Sequence, residues 1–146
     1  MTVANTEQIE SMIPHRKPML LVDEVIEQTE KRIVCKKTFS SDDFFVQGHF
    51  PQFPIVPGVI LCECCLQGGA ILLSQFTPSD GSVPVATRID GAKFKRMVRP
   101  GETIEIDVTL NEVVSTAYFM TGKVTVEGKL VARLDFACSV AKPPAE

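Results

Sequence analysis

The sequence lacks an excess of basic residues: 15 Lys and Arg stand against 18 Asp and Glu, for a formal net charge of −3. This balance argues against a general nucleic-acid or membrane-surface role, because both favour basic surfaces. No apolar run of about 18 residues is free of a charge or turn signal, so we predict no transmembrane span. The N-terminal stretch carries Glu7 and Glu10 where a signal peptide has a basic start and an apolar block. We therefore expect a cytoplasmic protein.

The chain also lacks a second CxxC pair to accompany Cys62 and Cys65, and it lacks paired histidines, which argues against a metal site. Its five cysteines are odd in number and lie in apolar stretches, unlike a secreted disulfide framework. Three of them are close in sequence, but neighbours on a helix lie on different faces. We predict that all five pack as small buried hydrophobic side chains and that the protein binds no metal. They are Cys35, Cys62, Cys64, Cys65 and Cys138.

The stretch 48–76 is the centre of the predicted fold. Pro51, Pro54 and Pro57 predict a loop, because proline fixes its own φ and restricts the residue before it. Residues 57–76 are apolar on every side, which predicts a buried helix. Gly68 and Gly69 weaken this helix by about 1 kcal/mol each relative to alanine. We expect the backbone of a sheet or of a partner to approach closely there.

Outside this stretch, the pattern of apolar and turn residues predicts a short opening helix over 4–13 and six strands. A chain of 146 residues is expected to form one domain, over 1–146. The segment TIEIDVTL alternates apolar and polar residues, as a half-buried strand does. Antiparallel strands with one apolar helix indicate an α+β fold, most simply a curved antiparallel sheet wrapped around the helix, the hot-dog arrangement. The predicted strands cover residues 19–28, 31–40, 85–95, 103–114, 116–127 and 130–141.

Two titratable residues in this central stretch call for a chemical explanation. His49 starts the proline loop, and Glu63 lies roughly 7 Å into the helix at 1.5 Å per residue. Each alone is more often structural: a hydrogen-bonded loop histidine, or a core glutamate paired with a cation. Together they suit elimination of water from a β-hydroxy carbonyl compound, with imidazole as base and a desolvated carboxyl as acid. Gly58 at the helix entrance allows a carbonyl to approach the free N–H groups. His15, in a turn, is assigned no chemistry.

Three segments, IPHRKPMLLVDEV, FFVQGHFPQFPIVPGVILCE and KFKRMVRPGE, together resemble the 3-hydroxyacyl-[acyl-carrier-protein] dehydratases of the FabZ family. The resemblance implies a hot-dog fold, no cofactor, and His49 and Glu63 as the catalytic pair. It places Gly58, with Val59 beside it, on the backbone segment that binds the thioester carbonyl. It also implies homodimers with a continuous sheet, commonly three to a hexamer, in which each site takes its histidine and glutamate from different subunits.

The resemblance further implies a substrate carried on the phosphopantetheine arm of acidic acyl carrier protein. A cluster of basic residues then becomes a candidate docking site rather than the solvated end of a strand. It consists of Lys93, Lys95, Arg96 and Arg99. The related dehydratase-isomerase FabA has aspartate where this chain has Glu63, so we do not expect isomerase activity.

The sequence departs from the family pattern near the predicted site. Lys17 stands where an aromatic residue is common, ECCLQ replaces a stretch resembling EAMAQ, and DFFVQGHF is one residue longer than usual. These differences leave the acyl chain length open. Two other functions remain alternatives: a hot-dog thioesterase, which would not need His49, and a non-catalytic module that binds acyl carrier protein.

Overall fold

The computed structural model describes residues 2–142, so the first residue and the last four of the predicted domain lie outside it. It contains two α-helices, α1 and α2, and six strands, β1 to β6. Their bounds are α1 Thr6–Met12, β1 Glu24–Gln28, β2 Arg32–Thr38, α2 Gly58–Leu73, β3 Val83–Phe94, β4 Thr103–Val114, β5 Ala117–Val126 and β6 Lys129–Ala141. A short 3-10 helix, Ser74–Phe76, extends α2.

The six strands form one antiparallel sheet in the order β1-β2-β4-β5-β6-β3. Strand β4 buries the apolar half of its alternating pattern and leaves the polar half towards solvent. Helix α2 packs against β2, β3, β4, β5 and β6, so most of the sheet wraps around it. The predicted α+β fold, a curved antiparallel sheet around a central helix, is confirmed.

The sheet surrounds helix α2, and this burial explains why the helix is apolar on every side. By length and composition alone, Gly58–Phe76 is the one helical stretch within residues 2–142 that could cross a membrane. Most of its side chains are buried inside the molecule, however, and such burial is typical of the core helix of a globular protein. The five cysteines are likewise free and buried, four of them on α2 or packed against it.

The two glycines of α2 allow the sheet to come close, although not through its backbone. A Cβ on Gly68 would lie 3.3 Å from methyl groups of Ile106 and Val108, and one on Gly69 would lie 3.0 Å from the Phe136 ring. The expected close approach is therefore present, but side chains of β4 and β6 make it. The predicted approach by backbone is replaced by side-chain packing, which offsets the low helix propensity of glycine.

Strand β1 is shorter than predicted, beginning at Glu24 rather than at residue 19. Residues 17–19 instead form a turn, and after it the N–H of Leu21 donates to the buried side chain of Gln67. This contact ties the chain before β1 directly to α2. Asn5 caps the first helix, and its side chain and that of Gln8 form a reciprocal capping box.

Candidate active site

His49 lies in a loop with an unusual backbone. Gly48 has φ 81° and Phe50 has φ 63°, so both neighbours of His49 are left-handed. Such a conformation is rare for a residue with a Cβ and is often found at functional sites. The Nδ1 atom of His49 lies 3.1 Å from the carbonyl oxygen of Ile55. Because a carbonyl only accepts, Nδ1 carries the proton, and the lone pair of Nε2 is left free to act as a base.

The N-terminus of α2 is open. Pro57 caps it without a side-chain hydrogen bond, and within residues 2–142 the N–H groups of Gly58 and Val59 donate to no protein acceptor. A Cβ on Gly58 would lie 2.9 Å from the ring of Phe94, so glycine lets this ring pack on the helix backbone. Free amides at the positive end of a helix suit an electron-rich carbonyl oxygen.

Glu63 faces a cavity of about 210 Å³ that Leu66, Ala70 and Cys138 also line. Its side chain is only 27% exposed. Its Oε2 atom accepts a hydrogen bond of 2.8 Å from Nε2 of Gln67. A carboxyl on a largely buried helix beside an apolar cavity is placed to meet a substrate away from bulk water.

Gln67 fixes the position of Glu63. It is fully buried, the one buried polar residue within residues 2–142. Its Oε1 accepts from the N–H of Leu21 at 2.7 Å, and its Nε2 donates to the carbonyl of Met19 at 2.7 Å. The amide is thus held from both ends, and the donor that it offers to Glu63 has a fixed direction.

His15, to which the sequence analysis gave no role, lies beside Glu63. Its Nε2 is 3.9 Å from Oε2 of Glu63, and it lines the same cavity. The two residues are 48 positions apart in a chain whose local pattern contains no signal linking them. Only the tertiary fold brings the turn after α1 against the middle of α2.

His49 and Glu63 do not meet within one chain. No hydrogen bond or ion pair joins them in the described part of the chain, and His49 is absent from the lining of the cavity that Glu63 faces. That cavity is bordered by Pro84 and Val85 of β3, an edge strand of the sheet. Within residues 2–142, His49 and Glu63 thus make no direct contact and line no common cavity.

The four predicted docking residues are all exposed, and none forms an ion pair within residues 2–142. Their segment runs beside the loop of His49, because the N–H of Val56 donates to the carbonyl of Val98 at 2.7 Å. The guanidinium of Arg99 lies 4.3 Å from the centre of the Phe53 ring. Phe53 and the exposed Phe50 and Met97 line an apolar groove of about 570 Å³.

Cysteine chemistry plays no part in this site. Burial raises the pKa of Cys138 to about 11 and that of Cys35 to about 12, and it also raises the pKa of the three cysteines of α2. Across residues 2–142, no group of three or more His, Cys, Asp or Glu side chains could hold a metal ion.

Comparisons with known proteins agree with this architecture. The family model of the FabA-like domain matches residues 13–135. The solved dehydratase heterocomplex ApeI:P from Xenorhabdus doucetiae superposes with a TM-score of 0.79 at 16% identity, covering 93% of this chain and 91% of that one. The E. coli PaaI protein, at a TM-score of 0.63 and 17% identity, covers 79% of this chain and 80% of its own. The class defined by the fold and by the carboxylate of α2 is thus the FabA-like hot-dog domain.

Relatives with curated names identify the family within this class. The 3-hydroxyacyl-[acyl-carrier-protein] dehydratase FabZ of Clostridium perfringens is 38% identical over 126 residues, covering 86% of this chain and 91% of its own. Those of Staphylococcus carnosus and Petrotoga mobilis are 36% and 37% identical, covering 95% and 94% of this chain and 97% and 99% of theirs. The chain belongs to the FabZ family of dehydratases, as its sequence segments predicted.

Proposed function

We propose that the chain is a hot-dog dehydratase domain over 1–146 that converts (3R)-3-hydroxyacyl-[acyl-carrier-protein] to trans-2-enoyl-[acyl-carrier-protein] in fatty-acid biosynthesis. The observation that carries the proposal is the contact of 3.1 Å between Nδ1 of His49 and the carbonyl oxygen of Ile55. Because a carbonyl only accepts, this contact leaves Nε2 free to act as a base, in the loop that leads into the open N-terminus of α2. A base next to unpaired backbone donors is what proton removal beside a carbonyl requires.

The reaction uses three groups. Nε2 of His49 takes the proton from C2 of the substrate while the N–H groups of Gly58 and Val59 stabilise the negative charge that develops on the thioester oxygen. The electron pair of the C2–H bond forms the C2–C3 double bond, and the C3–O bond breaks. Glu63 gives its proton to the departing hydroxyl, which leaves as water. The electron pair of the C3–O bond leaves with the water oxygen, so the elimination is redox-neutral and its balance requires no cofactor.

The active unit in this proposal is a homodimer, with a hexamer of three dimers as its larger form. Strand β3 supports the dimer because it is an edge strand with exposed apolar side chains: Val85 is 42%, Ile89 is 48% and Phe94 is 49% exposed. An edge of this kind invites pairing with another chain. Pairing of two β3 strands would make the sheet continuous and would bring His49 of one chain towards Glu63 of its partner.

Mixing two inactive variants tests this shared site. His49→Ala and Glu63→Gln are each expected to abolish dehydration without unfolding the protein. In an equal mixture that has exchanged subunits, half of the dimers are mixed, and one of their two sites is intact. Activity should then return to about a quarter of the wild-type value. No recovery, in a mixture where mass spectrometry shows mixed dimers, would contradict a site built from two chains.

The partner in this proposal is acyl carrier protein in the cytoplasm. Lys93, Lys95, Arg96 and Arg99 form an unpaired positive cluster beside the loop of His49. Opposite charge steers an acidic partner and fixes its orientation. The apolar groove next to Arg99 would receive apolar side chains of the same partner.

A further inference from the structure

Two side chains approach the same oxygen of Glu63. Nε2 of Gln67 lies 2.8 Å and Nε2 of His15 lies 3.9 Å from Oε2. Within residues 2–142, Oε1 accepts no hydrogen bond. The two oxygens of this carboxyl group are therefore not equivalent.

This asymmetry has a chemical consequence. A neutral carboxylic acid carries its proton on one oxygen and accepts hydrogen bonds on the other. An amide N–H of Gln67 pointing at Oε2 makes that atom the acceptor, so Oε1 is the oxygen of Glu63 that is left to carry a proton. Once the proton has been given away, the negative charge on Oε2 is stabilised by every donor aimed at it.

His15 has the features of a second such donor. Its side chain is 28% exposed, and Nδ1 is buried with no hydrogen-bond partner among residues 2–142. A histidine with a purely structural role normally bonds through its buried nitrogen, since an unpaired buried polar atom is costly. Here the nitrogen that faces a partner is Nε2, and the partner is Glu63.

The turn that holds His15 is firmly anchored. The guanidinium of Arg16 donates to the carbonyls of Glu10, Ile13 and His15 itself, at 2.7–2.9 Å. The positive charge of Arg16 is thus bound to backbone carbonyls, and Arg16 does not line the cavity that Glu63 faces. Among the described residues, His15 is the one ionisable side chain within ion-pair distance of Glu63, and Cys138 across the cavity is a neutral thiol.

We propose that His15 is a positioning residue for Glu63: with Gln67 it holds Oε2, so that Oε1 delivers the proton to the leaving hydroxyl. The inference rests on the proposed dehydration. This role requires a hydrogen on Nε2, the ring nitrogen that faces Oε2 of Glu63. When Glu63 becomes a carboxylate, a small side-chain movement closes the gap of 3.9 Å to hydrogen-bond length.

Two replacements of His15 separate positioning from packing. His15→Leu keeps an apolar side chain of comparable size but removes the N–H, whereas His15→Gln places an amide N–H near the position of Nε2. For His15→Leu we expect kcat to fall about 10–100-fold, the range for one hydrogen bond to a charged group, with KM within about threefold. His15→Gln should recover kcat to within about threefold of wild type. Equal losses in both variants, or no loss in His15→Leu, would overturn the proposal.

A measurement that needs no turnover completes the test. The chain has only two histidines, so the His49→Ala variant leaves the imidazole of His15 as a single NMR signal. Its nitrogen shifts should show the Nε2–H form, and adding Glu63→Gln should change them. Signals of the Nδ1–H form, or signals indifferent to Glu63→Gln, would refute the contact even if His15→Leu failed to fold. Absence of dehydration by the wild-type protein would instead refute the proposed function and leave the NMR result standing.

Discussion

Replacing Gln67 by leucine should damage both the stability and the activity of the protein. Gln67 is fully buried and joins three partners: the N–H of Leu21, the carbonyl of Met19 and Oε2 of Glu63. Leucine is similar in volume, so the substitution leaves little cavity and mainly removes hydrogen bonds. The variant therefore isolates the value of one buried amide.

The magnitude follows from what each partner loses. The N–H of Leu21 is buried, and leaving it unsatisfied costs about 1–3 kcal/mol. Met19 is 42% exposed, so water can replace part of the lost contact at its carbonyl, and its share is about 1 kcal/mol or less. The sum, about 1–4 kcal/mol, corresponds to a drop of about 2–16 °C in Tm for a domain of this size.

Thermal and urea unfolding at one fixed protein concentration measure this loss, since subunit association adds to apparent stability. Gln75→Leu is the matched control: Gln75 is exposed, and its amide bonds only the carbonyls of Glu30 and Leu72. The control should change the free energy of unfolding by about 0.5 kcal/mol or less. Equal stability of the two variants would refute the energetic argument, and full activity of Gln67→Leu per folded molecule would refute the orienting role of Gln67.

Three further outcomes are expected. Gly122→Ala should destabilise the protein by about 1–3 kcal/mol in urea unfolding, because a Cβ there would lie 2.8 Å from the side chain of Cys65 on α2; wild-type stability would contradict the close contact. The double variant Lys95→Glu, Arg99→Glu should raise KM for the carrier-bound substrate about tenfold at low salt, and the effect should fade at high salt. The control Lys123→Glu, on β5, should not raise KM. All five thiols should resist iodoacetamide at about pH 8 in the folded protein, since burial raises every thiol pKa. All five should react once guanidinium has unfolded the protein. Rapid labelling of the native protein would contradict their burial.

Local patterns predicted most of the fold. The predicted strand over 103–114 matches β4, Thr103–Val114, and the alternation of TIEIDVTL within it predicted the face that the strand buries. The apolar character of α2 predicted a helix enclosed by a sheet, because no single flat face could cover it. These features depend on side-chain period and turn chemistry, which the sequence displays directly.

What the sequence could not predict depends on contacts between distant segments. The bond between Leu21 and Gln67, which joins the segment before β1 to α2, links residues 46 positions apart, and nothing near either residue indicates it. The same holds for His15 beside Glu63, which requires the turn after α1 to lie against the middle of α2. The roles of His49 and Glu63 stay predictions, because the two side chains make no direct contact within residues 2–142 and the shared site of a dimer is itself a proposal.

The most direct test of the account is to incubate the purified protein with a 3-hydroxyacyl thioester of acyl carrier protein and follow the acyl group by mass spectrometry. The account predicts loss of one water by the wild-type protein and no loss by the His49→Ala and Glu63→Gln variants, all three being folded. Release of free acid would favour the thioesterase. An unchanged substrate bound by a folded protein would favour the non-catalytic module, and dehydration that survives either substitution would contradict the roles assigned to His49 and Glu63.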